Sequence, residues 1–262
     1  MTGKIFPLSL KALFKKILNS KQNEPLPIGL PRNYRVYCIG DIHGRLDLLQ
    51  EVHQKIACDV SDFDGTKILV YLGDYVDRGI HSKQVIDCLL EKNFSDFEKV
   101  FLLGNHEQVL LQFLKSNDAS IAHDWFRFGG LSTLISYGIN IQGIPTSKDL
   151  ERLRVEFREK LPVTHLGFFE HLVLNYEIGG YFFVHAGVRP KVKLQRQRSE
   201  DMLWIREEFL NSDVFHGRVI VHGHSVTDEP EIRHNRIGMD TGAYTSGRLA
   251  CAVFEDVSCH FL

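Results

Sequence analysis

Gly73-Asp74-Tyr75-Val76-Asp77-Arg78-Gly79 constrains this chain more than any other stretch, because it closes the apolar run Ile68-Leu69-Val70-Tyr71-Leu72. A short continuous apolar run bounded by glycine reads as a buried strand. Here the strand ends in two carboxylates and an arginine. An unpaired buried carboxylate is costly, so something must neutralise it. A metal ion that takes carboxylate oxygens directly meets that need, and Asp74, next after the strand's glycine, is the residue placed to hold it.

The pattern recurs along the chain. Arg35-Val36-Tyr37-Cys38-Ile39 leads into Gly40-Asp41-Ile42-His43-Gly44, and Val100-Phe101-Leu102-Leu103 into Gly104-Asn105-His106-Glu107. Tyr181-Phe182-Phe183-Val184 leads into His185-Ala186-Gly187, and Arg218-Val219-Ile220-Val221 into His222-Gly223-His224-Ser225. Each is an apolar strand ending in a metal-type ligand beside a glycine, which lets the backbone turn sharply or approach a ligand closely. Sites in layered α/β folds gather at strand ends.

These corners span Gly40 to Ser225 and must meet in space, so a chain of 262 residues reads as one catalytic domain over residues 34–262. Residues 1–33 read as an appendage: a basic amphipathic helix over Leu8–Leu18, either a short helix that covers part of the domain or frays at its start or one that docks weakly on a partner or an anionic membrane surface, then a linker carrying Pro25, Pro27 and Pro31. Its lysines interrupt the apolar core that a secretory signal needs, and no stretch is long enough to span a membrane. A net charge of −2 gives no electrostatic reason to expect nucleic-acid binding. The five cysteines form no Cys-x-x-Cys pair, which points to reduced thiols and a cytoplasmic location. A monomer is expected.

Three strand-helix units open the domain, with helices from Leu46 to about Ala57, from an N-capping Ser82, and through Val109 to Leu114. Residues 117–172 form a mainly helical insert, and the rest returns to strands apart from a helix over Ser199–Leu210. The expected architecture is α/β: two packed sheets with helices outside and the corners gathered along one edge. Trp125, Phe126 and Phe128 either roof the site or pack in the core, and Tyr244 is expected to pack.

The strand-end ligands Asp41, His43, Asp74, Asn105 and His185, with a histidine from 222–224, mix oxygen and imidazole donors without thiolate. That suits manganese, iron or zinc better than a structural zinc. So many ligands suit two metals sharing a carboxylate, an arrangement that recurs for in-line displacement at phosphorus. His222 and His224 fall on one face of a strand and cannot be separated by period alone.

The ordered set Gly-Asp-Ile-His-Gly, Gly-Asp-Tyr-Val-Asp-Arg-Gly, Gly-Asn-His-Glu, His-Ala-Gly and Gly-His resembles the PPP family of phosphoprotein phosphatases, within the calcineurin-like metallophosphoesterases. The likeness covers residues 34 to about 255. Gly129 to Gly138 and Leu203-Trp204-Ile205-Arg206-Glu207 resemble its bacterial branch. The resemblance implies two mixed sheets packed as a sandwich. It implies one metal on Asp41, His43 and Asp74, and a second on bridging Asp74 with Asn105, His185 and His224. It further implies His106 as general acid oriented by Asp77, and Arg78, Arg206 and Asn105 at the phosphoryl group. Two divalent ions, manganese foremost, would supply hydroxide for attack on phosphoserine or phosphothreonine in a protein or peptide.

Two other functions compete. A symmetrical dinucleoside tetraphosphatase shares most of these motifs but resembles Gly-Asp-Leu-Val-Ala-Arg-Gly at the central one, with alanine in place of Asp77. A metal-binding module without catalysis would keep the ligands and lose His106, which is present here.

Overall fold

A computed structural model describes residues 28–262; the helix expected over Leu8–Leu18, and Pro25 and Pro27 after it, lie outside the described residues. Two five-stranded sheets form the frame. The first has the order β10-β9-β1-β2-β3, from β1 (Tyr34–Ile39), β2 (Thr66–Tyr71), β3 (Glu98–Phe101), β9 (Cys251–Glu255) and β10 (Ser258–Phe261). The second has the order β4-β5-β6-β8-β7, from β4 (Asn175–Ile178), β5 (Tyr181–Val184), β6 (Val219–His222), β7 (Glu231–Ile232) and β8 (Arg236–Gly238). Both sheets are mixed: β1, β2, β3 and β10 run one way while β9 reverses, and β5, β6 and β8 run parallel while β4 and β7 reverse.

Strand period two explains how the sheets are covered. Val36 and Cys38 of β1, Ile68 and Val70 of β2, and Phe254 of β9 face Tyr181, Phe183, Val219 and Val221 of the second sheet. Tyr37, Ile39, Leu69 and Tyr71 point the other way, into the helices α1 (Leu46–Asp59), α2 (Ser82–Leu90) and α3 (Asn105–Lys115). On α1 the buried set Leu49, Val52 and Ile56 keeps helical spacing against that face. Phe182, Val184 and Ile220 on the far face of the second sheet pack on Met202, Ile205 and Phe209. The alternation therefore sets a sandwich with one apolar layer between the sheets and another on each outer face.

Residues 119–170 carry four helices: α4 (Ala119–Arg127), α5 (Gly130–Ser136), α6 (Leu150–Lys160) and α7 (Val163–Glu170). The chain leaves them through Val173, which pairs in parallel with Leu102 just beyond β3, so the segment expected as strand from Leu172 starts on the first sheet before β4 joins the second. Three further short helices follow, α8 (Ser199–Trp204), α9 (Glu207–Leu210) and α10 (Ala243–Ser246). The single helix expected over Ser199–Leu210 is thus broken, and Arg206 sits at the break with φ −130° and ψ −104°.

Residues 28–30 pack onto the domain. Leu30 is buried, its N–H donates to the Asp256 carbonyl at 2.7 Å, and Gly180 donates to the Gly29 carbonyl at 2.8 Å. The five cysteines are free, and Cys251 and Cys259 serve opposite faces of the first sheet. Among the described residues, no helix is long and apolar enough to cross a membrane.

Candidate active site

The corners meet. Asp41 and His43 follow β1, Asp74 and Asp77 follow β2, and Asn105 and His106 open α3 just after β3. From the second sheet, His185 follows β5 and His224 follows β6. All eight are buried. The carboxyl ends of parallel strands from both sheets open to the same side, so short corners suffice to bring the side chains together. Gly73 makes the closest approach possible: at φ +102° it lies so near Gly104 that a Cβ would come within 2.7 Å of that backbone. His43, Asp74, Asp77, Arg78 and His224 also take left-handed backbone, with φ between +46° and +71°. Such conformations cost on the order of 1 kcal/mol or more per non-glycine residue and persist where surrounding contacts hold them.

Some of that holding comes from Glu107, which motif reading left without a role. Its carboxylate accepts the backbone N–H groups of Asp74 at 2.9 Å, Tyr75 at 2.8 Å, Val76 at 3.2 Å and Gly104 at 3.2 Å. One side chain therefore fixes the β2 corner to the β3 corner.

Hydrogen-bond accounting shows what the centre lacks. His185 Nδ1 lies 2.8 Å from the Leu72 carbonyl and His43 Nδ1 lies 2.9 Å from the Val76 carbonyl, so each must carry its proton there. Nε2 of each ring is thereby aimed at the centre. His185 Nε2 meets Asn105 Oδ1 at 2.8 Å and Asp74 Oδ1 at 3.4 Å, and His43 Nε2 meets Asp74 Oδ2 at 3.6 Å. His224 Nδ1 lies 2.9 Å from the same Asn105 oxygen. Turning the Asn105 amide would relieve its own contacts but leave Asp74 facing the inner nitrogens of His43 and His185. Imidazole nitrogens and a carboxylate converging on one point are the arrangement a cation resolves, and fixing the outer nitrogen on a carbonyl is how ligating imidazoles are oriented.

Charge points the same way. Burial, then the neighbouring carboxylates Asp240 and Asp74, push Asp41 well above the ordinary carboxylate range, and Asp41 Oδ1 is buried without a partner. Burial, then His106, holds His43 down at about 3, so its ring is neutral. Burial opposes ionisation of Asp74 too, but His185 and then His106 outweigh it and keep Asp74 below its ordinary value. The residues present thus fit divalent ions: Asp74 is shared by two clusters, one with His43 and His106 and one with His185 and His224. Asp41 contributes its unpartnered oxygen beside them.

His106 stands apart through its second nitrogen, Nδ1, which lies 2.6 Å from Asp77 Oδ2. Burial disfavours its charged form, yet Asp74 and Asp77 outweigh that and lift His106 to about 9. Its Nε2 faces inward, 3.7 Å from Asp74 Oδ2 and 3.5 Å from Arg78 Nη2.

At the mouth, the Arg78 guanidinium lies over the Tyr244 ring. Arg206 is exposed and donates to the His224 carbonyl at 3.2 Å. Tyr244 therefore lines the site, contrary to the expectation that it packs, because α10 turns it edge-on to His43 at 5.5 Å between centroids. Phe128 lies tilted between His106 and Trp204, while Trp125 is fully buried. His222 points away, against Phe209, so the two histidines that strand period left equivalent part here. A sixth corner escaped sequence reading: Asp240 follows β8 and reaches the Asp41 carboxylate's surroundings. The signal was present as Ile237-Gly238-Met239-Asp240-Thr241-Gly242, but the strand is only three residues and begins with a buried arginine.

The model of the calcineurin-like phosphoesterase family matches residues 34–255. The chain belongs to that family. A calcineurin-like phosphoesterase is a metal-dependent hydrolase of phosphate esters, and the Asp and His clusters above suit its divalent ions. Among relatives, the chain is 24% identical over 241 residues to an asymmetrical bis(5'-nucleosyl)-tetraphosphatase PrpE of Bacillus thuringiensis, covering 84% of this chain and 90% of that one. The protein of the same name from Bacillus mycoides is 24% identical over 233 residues, covering 80% and 87%. Solved structures of similar fold include one assigned provisionally as a diadenosine tetraphosphatase, at TM-score 0.57 and 23% identity over 90% of this chain and 96% of that one. A cold-active protein tyrosine phosphatase of a psychrophilic Shewanella reaches 0.52 at 15% identity, covering 93% and 86%. A protein serine/threonine phosphatase of Saccharomyces cerevisiae reaches 0.50 at 16%, covering 84% and 72%.

Proposed function

We propose that this phosphoesterase hydrolyses monoesters of weakly acidic alcohols, phosphoserine and phosphothreonine in peptides foremost. The observation that carries the reading is the 2.6 Å contact between Asp77 Oδ2 and His106 Nδ1. An alkoxide is a poor leaving group unless it is protonated as it departs, and a placed general acid contributes roughly 10²–10⁴ in rate. With Nδ1–H fixed on Asp77, the His106 ring offers Nε2 to the leaving oxygen.

In this reading Asp41, His43 and Asp74 hold one divalent ion, and Asp74, Asn105, His185 and His224 hold the other. Manganese is proposed, with iron and zinc suited to the same donors. Bound there, the ions supply Lewis acidity and a nucleophilic hydroxide near neutral pH. Arg78 and Arg206 bind the phosphoryl oxygens as guanidinium forks, beside Asn105. Asp77 holds the tautomer and His106 delivers the proton. Residues 34–262 are proposed as the catalytic domain with residues 117–172 as its helical insert. The free thiols fit a reducing, cytoplasmic setting.

The names of the near full-length relatives favour a second reading, asymmetrical cleavage of a bis(5'-nucleosyl) tetraphosphate, rather than the symmetrical cleavage that the sequence raised. There the leaving group is itself a phosphate, which departs as a weakly basic anion with little need of an acid. The dyad therefore favours the monoester. Wild type and His106→Asn, both loaded with manganese, should be compared on a phosphoserine peptide, p-nitrophenyl phosphate and diadenosine tetraphosphate. The peptide is expected to be turned over well, and His106→Asn to lose most on it. Preference for the tetraphosphate, with His106→Asn nearly unimpaired, would overturn the monoester reading.

A further inference from the structure

The Asp77 side chain is fully enclosed, at 0% exposure, and His106 is only one of the groups that enclose it. The others come from the helical segment after α3. Trp125 on α4 donates its indole N–H to both carboxylate oxygens, at 3.0 and 3.1 Å. Thr133 on α5 donates its hydroxyl to Asp77 Oδ1 at 2.6 Å and accepts the backbone N–H of Asp77 at 2.9 Å. Ser82 stands behind, its hydroxyl 3.1 Å from the same N–H and 3.1 Å from the Thr133 oxygen. Ser82 is the first residue of α2 and makes no capping bond; its hydroxyl is spent on this cage, which corrects the expectation that it caps the helix.

We infer that Trp125 and Thr133 are positioning residues for the acid dyad, so the helical segment aims His106. The inference rests on the proposed role of His106 as proton donor. Three features carry it. Asp77 sits at φ +71°, a conformation an aspartate holds only under constraint, and Thr133 grips both its side chain and its N–H. A hydroxyl has one proton, so Thr133, committed to Oδ1, leaves Oδ2 to His106 and the indole. The segment is also built for this approach: Gly130 lies so close to the Trp125 ring that a Cβ would come within 2.5 Å of it, and Arg78 donates its N–H to the Gly129 carbonyl at 3.3 Å. Both the acid dyad and the arginine beside it are thus seated on Gly129-Gly130-Leu131-Ser132-Thr133, a stretch that resembles the bacterial branch and had no role in the sequence reading.

A positioning role differs from a packing role in what it moves. Loss of the Thr133 hydroxyl should impair proton delivery, and so harm substrates with poor leaving groups, without weakening substrate binding. The test uses manganese-loaded full-length protein and kcat on phenyl phosphate against p-nitrophenyl phosphate, which share a phosphoryl group and differ in leaving-group basicity. Thr133→Val is expected to lower kcat on phenyl phosphate by about tenfold to a hundredfold, part of what a general acid supplies. The loss on p-nitrophenyl phosphate should be smaller, and KM should change less than threefold on the same reasoning. Thr133→Ser, which keeps the hydroxyl, should recover most of the loss. Trp125→Phe provides a second route if the valine variant folds poorly. In metal-free 15N-labelled protein, the His106 Nδ1 proton should resonate far downfield in the wild type and in Thr133→Ser, and be lost or shifted in Thr133→Val.

Equal losses on both substrates in Thr133→Val and Trp125→Phe, or a valine variant with an unmoved His106 proton signal, would overturn the inference. His106→Asn is the control. If it shows no leaving-group dependence, the proton-donor reading fails; if it does while the Thr133 variants do not, only the positioning role fails.

Discussion

The guanidinium carbon of Arg78 lies 4.3 Å from the centre of the Tyr244 ring. The contact joins the β2 corner, where Arg78 is held at φ +67°, to α10, which follows β8 in the chain. It fixes a side chain that would otherwise sample many rotamers at the mouth of the site.

A cation over an aromatic ring is worth about 0.5–1 kcal/mol when partly exposed. Tyr244→Ala is therefore expected to raise KM for phosphate esters by roughly two- to fivefold, with a smaller effect on kcat. Tyr244→Phe, which keeps the ring, should stay near wild type. Steady-state kinetics on p-nitrophenyl phosphate with both variants would check the pair.

Glu107→Gln should be far more damaging than its size suggests. Each carboxylate oxygen of Glu107 accepts two backbone N–H groups, and an amide would turn an NH₂ donor towards one such pair. A buried donor left without an acceptor costs about 1–3 kcal/mol, so the unfolding midpoint in urea should fall with the slope unchanged.

Removal of metal should lower thermal stability, because His43, His185 and Asp74 converge from both sheets where a bound cation would tie them together. A ligand that binds only the folded state adds about 2.7 kcal/mol at a hundredfold excess over its Kd. Chelator-treated protein should regain melting temperature as manganese is titrated back. Asp74→Asn, which changes the oxygen shared by both clusters, should show neither that rise nor two equivalents of metal by elemental analysis.

Acid should weaken the fold partly through His53, away from the site. Burial, then Lys99, lowers His53 from 6.5 to about 4, and its Nε2 lies 3.0 Å from the Tyr71 hydroxyl. Above 6.5 the ring is neutral whether folded or not, and the stability is fully present. Between 6.5 and about 4, only the unfolded chain takes the proton, so stability declines by up to about 1.4 kcal/mol per pH unit from this group. Below that window the loss levels off. His53→Gln should unfold with a shallower pH dependence, by about one proton, in denaturant series across the same range.

The strand corners were legible because their signal is local: an apolar run, then a glycine beside a ligand, repeated at Asp41, Asp74, Asn105, His185 and His224. What stayed hidden depends on partners distant in the chain. Ser82 looks like a helix cap until Asp77 and Thr133 are seen to claim its hydroxyl. Trp125 looks like core or roof, and only the carboxylate beneath its indole gives it work. Arg206 reaches the mouth because a helix breaks at Ile205, where no glycine or proline marks the break. Tyr244 faces His43 because of a short helix that four residues of sequence cannot announce.

The division of the ligands between two sheets has a consequence for how the site comes into being. Asp41, Asp74 and Asn105 are synthesised early and lie on neighbouring parallel strands, so a nascent chain can bring them together before the remainder exists. His185 and His224 arrive much later, on strands that must dock from the other side through contacts of long sequence separation, a slow kind of step. The ligand set is therefore complete only once the second sheet has docked on the first.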